Sequence, residues 1–129
     1  MKTFVNPDTL PRNPAFSQAI IVRNPSTTIY VGGQNAITPK GEIVGDTIEE
    51  QVTRALTNVE RALAAAGASI DDVVRWTISV VEGQNLQGAF GAFRERHPAL
   101  ANPPTLSVQV VAGLANPRFL VEIDAIAVQ

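Results

Sequence analysis

Apolar side chains recur at three- and four-residue spacings from residue 48 to residue 66, and this pattern predicts a long amphipathic helix. Thr47 and Glu50 have the spacing of a capping box at the start of that helix. Gly67 follows the last apolar position and suits the left-handed conformation that ends many helices. The residues that flank the apolar stripe therefore predict where the helix begins and ends.

A second, shorter helix is predicted after Asn85, whose side chain can accept a hydrogen bond from the first helical turn. Its apolar positions include Phe90. Pro98 ends it, because the residue before a proline avoids the helical conformation. The segment between the two helices is rich in valine, isoleucine and threonine, which favours a strand there.

Five segments with β-branched or alternating apolar residues predict strands. They span residues 17–23, 28–33, 73–81, 106–111 and 119–128. The turn sequence Asn24-Pro25-Ser26 predicts a hairpin of the first two, and the first dozen residues are interpreted as an irregular lead-in. The order β-β-α-β-α-β-β predicts an α+β fold with a single sheet and both helices on one face. We expect residues 1–129 to form one domain.

The last predicted strand has two chemically different faces. One face is apolar throughout and consists of Phe119, Val121, Ile123, Ala125 and Ala127. The other face consists of Leu120, Glu122, Asp124, Ile126 and Val128. A face that mixes carboxylates with aliphatic side chains is neither a solvated surface nor a core. The simplest interpretation is that it packs against another copy of the chain, in a closed ring of subunits with polar groups near a cleft.

Composition narrows the classes of function. Charged residues make up 17% of the chain, which is low for a monomer surrounded by water and favours association. The net charge of −2 and the lack of a basic stripe argue against nucleic-acid partners. The sequence contains no cysteine, no apolar run long enough for a membrane span and no signal-peptide core. We therefore expect a cytoplasmic protein that has no membrane partner.

No metal or cofactor site is predicted. His97 is the single histidine and there is no cysteine, so a zinc site lacks ligands, and His97 is interpreted as a helix-end residue. The sequence YVGGQN contains Gly32 and Gly33 without the spacing of a phosphate loop or a dinucleotide fingerprint. These glycines mark either a strand end that another backbone approaches closely or exposed amides that bind a ligand oxygen.

Hydroxyl groups alternate along the penultimate strand, where Thr105 and Ser107 share one face. If this strand pairs with the last strand, the two hydroxyls lie near Glu122 and form a candidate site. The alternative is a structural hydrogen-bond network at a subunit interface. The residues alone favour that alternative, because buried polar groups need partners in any protein.

Several segments of the chain resemble, in order, those of one protein family. They are PAFSQAI, IYVGGQ, GDTIEEQVTRALTNVERALAAAGAS, VVRWTISV, PPTLSVQVVAGL and LVEIDAIAV. They are similar to the Rid (YjgF, reactive intermediate deaminase) family over residues 14–128. The resemblance implies a chorismate-mutase-like fold of the bacillus type, and a homotrimer with inward-facing sheets and three clefts between subunits. It also implies hydrolysis of 2-imino acids and their enamine tautomers to 2-keto acids and ammonia, without a cofactor.

The resemblance assigns site residues position by position. Gly33 and Glu122 match the family pattern, and Glu122 can act as the base or position the water. The family's carboxylate-binding arginine falls at Thr105, which has neither the charge nor the bidentate geometry of a guanidinium. The remaining implied substrate-binding positions are Phe16 in place of a tyrosine, Gly32 in place of a serine, Phe90 in place of an asparagine, and Ser107.

The sequence and the resemblance leave two candidate functions. The first is a deaminase that acts on a small imine or enamine metabolite in clefts between subunits, and that is inefficient with 2-iminopropionate because Thr105 is uncharged. The second is a noncatalytic small-molecule-binding or regulatory trimer. Ribonuclease activity is favoured less than either, because no basic groove is predicted. Arg118 could replace the missing cation, but it lies roughly 13 Å along the strand from Glu122, which argues for a solvated loop residue.

Overall fold

The structure is a computed structural model that describes residues 1–98 and 102–129. The strands within these residues are β1 (Lys2–Val5), β2 (Ala19–Val22), β3 (Thr28–Gln34), β4 (Val73–Val81), β5 (Thr105–Val111) and β6 (Val121–Val128). The helices are α1 (Ile48–Ala65) and α2 (Leu86–Arg96), with one 3-10 turn at Ile70–Asp72. In this part of the chain, no helix is both long enough and apolar enough to cross a bilayer.

The main sheet has four strands in the order β3-β6-β4-β5. Strands β4 and β5 are parallel, whereas β6 is antiparallel to both of its neighbours. Helix α2 connects the two parallel strands, as a parallel pair requires a crossover. Helix α1 packs against β3 and β6, and α2 packs against α1. The predicted α+β fold, with both helices on one face of a sheet, is confirmed, whereas the strands form two sheets and not the single one expected, because β1 and β2 pair separately.

The helix termini form where the sequence predicts them. The Thr47 hydroxyl accepts a hydrogen bond from the Glu50 amide at 3.2 Å and donates to the Glu50 carboxylate at 3.0 Å. Gly67, just after α1, has a φ of 79°, the left-handed conformation in which glycine is favoured. At α2, the Asn85 side chain accepts from the Gly88 amide at 3.2 Å. Local capping chemistry therefore sets the start of each helix and the end of α1.

The core lies between the helices and the sheet. Leu56, Val59 and Leu63 of α1 are completely buried. The apolar phase of β6 is buried against them, and it comprises Val121, Ile123, Ala125 and Ala127. Burial of a large aliphatic side chain contributes about 1.5–3 kcal/mol, so this layer is a main source of stability. The alternation predicted for the last strand is confirmed.

Two polar residues of α1 tie loops to the helix. Gln51 is buried, its side-chain nitrogen donates to the carbonyls of Gly45 and Arg118, and its oxygen accepts from the Leu120 amide. Asn58 donates to the carbonyls of Asn35 and Ile37, both at 2.9 Å. Each side chain satisfies backbone groups that have no strand partner. These residues therefore hold the segments before β6 and after β3 in place.

Two predictions about the N-terminal half are wrong. Residues 2–5 are a strand and not part of an irregular lead-in, and β1 pairs with β2 in a separate two-stranded sheet. Consequently β2 and β3 are not a hairpin, since β3 pairs with β6. The turn at Asn24-Pro25-Ser26 is real, and Asn24 has a φ of 47°. Turn residues specify a change of direction, but the partners of the flanking strands depend on distant parts of the chain.

Candidate functional site

The sheet face opposite the helices carries a row of polar and charged side chains. We call it the outer face. It carries Arg75, Thr77 and Ser79 of β4, Thr105 and Ser107 of β5, and Glu122 and Asp124 of β6. These positions alternate with core residues, so they point away from the helices. The outer face is therefore the part of the sheet with chemically active groups.

Glu122 lies against the backbone of β3. The register between β3 and β6 shifts between Val31 and Gln34, so Gly32 and Gly33 lie at an irregularity of the strand. A Cβ atom on Gly33 would be 2.6 Å from the Glu122 carboxyl carbon, whereas one on Gly32 would meet nothing within 4 Å. The absence of a side chain at Gly33 therefore leaves the space that the Glu122 carboxylate occupies.

Thr105 and Ser107 lie on the outer face, but they are separated from Glu122. The candidate site required the penultimate strand to pair with the last strand, and this pairing does not occur, because β4 lies between β5 and β6. Ser107 is opposite Thr77, which in turn is opposite Asp124. The physical reason is that a strand connected by a helix pairs in parallel with the strand before that helix.

The hydroxyl groups of β5 already have partners. Thr105 donates a hydrogen bond to the Val74 carbonyl at 2.6 Å. Ser107 accepts one from the Arg75 guanidinium at 3.2 Å. The Thr105 proton is therefore engaged with the backbone, and the Ser107 oxygen orients a cation.

Arg75 is a further candidate residue on the outer face, which the sequence alone did not single out. It lies directly opposite Thr105 in the parallel ladder, and it is exposed. The alternation of Arg75, Thr77 and Ser79 along β4 was available in the sequence and places all three on one face. Their proximity to Ser107 depends on the β4–β5 pairing, which no local pattern specifies. The other candidate cation, Arg118, lies exposed in the loop before β6.

The two predicted aromatic positions lie in different places. Ser17 fixes Phe16 near the start of β5, because the Ser17 amide and hydroxyl bond to the carbonyls of Pro104 and Pro103. Phe90 lines an apolar cavity together with Trp76 and Leu106, on the helix side of the sheet. Within one chain, the sheet therefore separates Phe90 from Glu122.

His97 lies at the end of α2 in an aromatic environment. Its ring stacks on Trp76 with a centroid distance of 5.6 Å and contacts the edge of Phe93 at 5.5 Å. Burial lowers the pKa of the imidazole. The Glu60 carboxylate, whose Oε2 atom lies 3.5 Å from His97 Nε2, raises this pKa, and the charge of Arg96 lowers it. Among the described residues, no group of three His, Asp or Glu side chains could hold a metal ion. His97 is thus part of the packing between α2 and β4.

The amino-acid sequence is similar to those of known proteins. Residues 8–129 match the sequence profile of the family described as endoribonuclease L-PSP. The 2-iminobutanoate/2-iminopropanoate deaminase of Rattus norvegicus is 34% identical over 118 residues, which cover 89% of this chain and 80% of the rat protein.

Solved structures show the same fold. The protein of unknown function YyfB of the Rid family, from Yersinia pestis, has a TM-score of 0.85 at 31% identity, over 99% of this chain and 98% of that one. TdcF of E. coli, solved with bound serine, has a TM-score of 0.69 at 27% identity, over 92% of this chain and 96% of that one. The fold and the matched residues together establish that the chain belongs to the Rid/YjgF family, the family whose profile carries the description endoribonuclease L-PSP.

Proposed function

We propose that the protein hydrolyses a small reactive imine, or its enamine tautomer, to a carbonyl compound and ammonia. The position of Glu122 against Gly33 on the outer face is the observation that carries the proposal. Support also comes from the rat relative, which is named as a deaminase of 2-iminobutanoate and 2-iminopropanoate. We propose a cytoplasmic location, which is compatible with a chain that has no cysteine.

The proposed chemistry requires few groups. Water adds to the carbon of a protonated imine, the C–N double bond becomes a single bond, and a proton leaves the water. Departure of ammonia from the resulting aminoalcohol then gives the carbonyl compound. A carboxylate can position the water and take its proton, which is the role proposed for Glu122. Much of the reactivity belongs to the protonated imine itself, so the chain supplies mainly orientation and proton transfer.

The paired glycines are suited to hold the substrate beside that carboxylate. Gly32 and Gly33 are both exposed on β3, and Gly33 presents backbone without a side chain next to Glu122. A backbone amide in such a position can donate a hydrogen bond to a substrate oxygen. In this proposal Gly33 orients the substrate, and Glu122 acts on the water.

The proposed active form is a homotrimer, with the substrate bound in clefts between subunits. The outer face supports this part of the proposal, because it places Ile126 and the 77% exposed Tyr30 opposite each other beside the charged groups. Tyrosine is one of the residue types that are enriched in protein interfaces. Light scattering at micromolar concentration should give three chain masses, about 41 kDa from a chain of 13.7 kDa. A stable monomer would contradict the trimer.

A noncatalytic binding or regulatory trimer is the second candidate. The observation that favours it is the engaged Thr105 hydroxyl, which leaves position 105 without a charge or a free donor for a substrate carboxylate. A scaffold that keeps the cleft but loses turnover would bind small molecules without converting them.

One assay distinguishes the two candidates. Imines of several sizes are generated in situ by an amino acid oxidase, and the release of ammonia and keto acid is compared with the uncatalysed rate. We expect saturable acceleration for at least one of them, which would establish the deaminase. Saturable binding of the keto acids with no acceleration of any imine would establish the noncatalytic candidate instead.

A further inference from the structure

A cavity lies on the helix side of the sheet, between α2 and the start of β5, and it has a volume of about 80 Å³. Its most buried lining residue is Trp76, which is joined by Leu106 of β5 and by Phe90 and Phe93 of α2. The resemblance places Phe90 among the substrate-binding positions, but the residue lines this cavity and not the outer face. The cavity is therefore separate from the Glu122 carboxylate of the same chain.

The walls of the cavity are held in position by contacts within the protein. The rings of Trp76 and Phe93 meet edge to face with a centroid distance of 5.4 Å. At the start of β5, the amide and the hydroxyl of Ser17 donate hydrogen bonds to the carbonyls of Pro104 and Pro103. Proline also fixes its own backbone φ, so this segment resists collapse into the space. The cavity is therefore largely preformed, as sites for small molecules usually are.

The volume and the lining of the cavity determine which group fits inside. An apolar cavity of about 150 Å³ stays dry and binds benzene. This cavity has about half that volume, so it suits a branched aliphatic group of about three or four carbon atoms. The buried part of the lining is aliphatic, proline or aromatic, together with the imidazole of His97, whose pKa is lowered by burial. The interior therefore favours an uncharged hydrocarbon group.

The mouth of the cavity carries a positive charge. Ala15, Arg94 and Pro98 are exposed lining residues, so they mark the place where the cavity meets solvent. Both ion pairs in the described part of the chain involve Glu60, and neither involves Arg94. Among the described lining residues there is no carboxylate. A guanidinium in this position favours an anionic head group and can pair with a carboxylate through two hydrogen bonds.

We propose that this cavity is a second ligand site, which binds a short branched-chain fatty acid. The aliphatic tail fills the space beside Trp76, Phe90 and Leu106, and the carboxylate lies at the mouth beside Arg94. The apolar volume selects the tail, and charge complementarity selects the head group. No residue of the lining is assigned a reaction with the ligand, so the site does not depend on the proposed deaminase activity.

The tryptophan of the chain reports on the cavity directly. Trp76 is the only tryptophan in the sequence, so the isotope-labelled protein has one indole N–H signal in its NMR spectrum. The signal is followed during titration with isovalerate and with isoamyl alcohol, which has the same carbon skeleton and no charge. Acetate, which lacks the tail, and phenylpropanoate, whose ring exceeds the cavity, complete the ligand series.

Two variants change the site, and two serve as controls. Arg94→Met removes the charge at the mouth, and Ala15→Leu places a larger side chain there. Arg61→Met removes an exposed arginine of α1, and Arg75→Met removes the exposed cation of the outer face. The second control separates binding in the cavity from binding of the carboxylate on the outer face.

We expect isovalerate to shift the indole signal saturably with a millimolar Kd, since so small a ligand makes few contacts. Arg94→Met should raise this Kd about threefold, because an ion pair exposed to solvent is weak, and should leave the Kd of isoamyl alcohol unchanged. Ala15→Leu should raise both Kd values by roughly tenfold or more, because the added side chain takes the space of the tail. Both control variants should match the wild type. Acetate and phenylpropanoate should bind more weakly than isovalerate.

An indole signal that does not move with isovalerate would overturn the proposal. A Kd that rises in Arg75→Met and not in Arg94→Met would do the same, because the ligand would then lie on the outer face. Phenylpropanoate that binds more tightly than isovalerate would contradict the size of the site, and this comparison needs no variant. Each of these results would leave the proposed role of Glu122 untouched.

Discussion

Glu122 occupies space that is open only because residue 33 is a glycine: a Cβ atom on Gly33 would lie 2.6 Å from the Glu122 carboxyl carbon. The contact joins β3 to the outer face of β6 at the strand irregularity. The end of a glutamate side chain is flexible, so an added methyl group would displace the carboxylate rather than the strands. The glycine thus determines the position of the carboxylate, and less so the stability of the fold.

Gly33→Ala is therefore expected to lower the rate of imine hydrolysis by roughly 10- to 100-fold, the scale of losses from small misplacements of a reacting group. The free energy of unfolding should change by less than about 1 kcal/mol. Gly32→Ala is the matched control, since a Cβ there meets nothing within 4 Å. Steady-state rates and urea titrations of both variants check this. Equal rates for the two variants would show that the Gly33 contact has no functional role.

The burial of His97 predicts a loss of stability in mild acid. The native pKa of the imidazole is lowered by burial, so below the unfolded-state value of about 6.5 the unfolded chain takes up a proton that the native chain resists. The stabilisation is therefore complete above pH 6.5 and decreases as the pH falls below it. Urea midpoints of the wild type and His97→Leu at pH 7.5 and pH 5.5 measure this.

The wild type should lose more stability between the two pH values than His97→Leu does. Comparison with the variant removes the contribution of the carboxylates, which titrate in both proteins. An equal loss in both would mean that the surroundings of His97 do not resist its protonation.

The helices and the central strand could be predicted from the sequence because their signals are local. Thr47, Gly67 and Asn85 act on residues within one turn of themselves, and the predicted limits of β4, residues 73–81, are the observed ones. Periodicity also identified the apolar phase of β6 that packs under the helices. These signals depend on spacing alone, so no knowledge of the rest of the fold was needed.

Strand partners could not be predicted in the same way. The candidate site depended on a pairing between the strand of Thr105 and that of Glu122, whereas β4 lies between them and brings Arg75 to Ser107. The partner of β5 is decided by the crossover through α2, far from either side chain. The resemblance to the family identified position 105 as unusual, but the neighbouring cation became evident only from the ladder.

The central claim is that the Glu122 carboxylate acts on water during imine hydrolysis, and its most direct test compares two isosteric variants of the outer face. Ammonia release from 2-iminobutanoate is measured for the wild type, Glu122→Gln and Asp124→Asn. Light scattering checks that both variants have the same oligomer mass as the wild type. Asp124 is the matched carboxylate, one row away on the same strand. We predict a 10²- to 10⁴-fold lower rate for Glu122→Gln, about the contribution of a general base, and a rate within a few-fold of wild type for Asp124→Asn. A Glu122→Gln protein as fast as the wild type would contradict it.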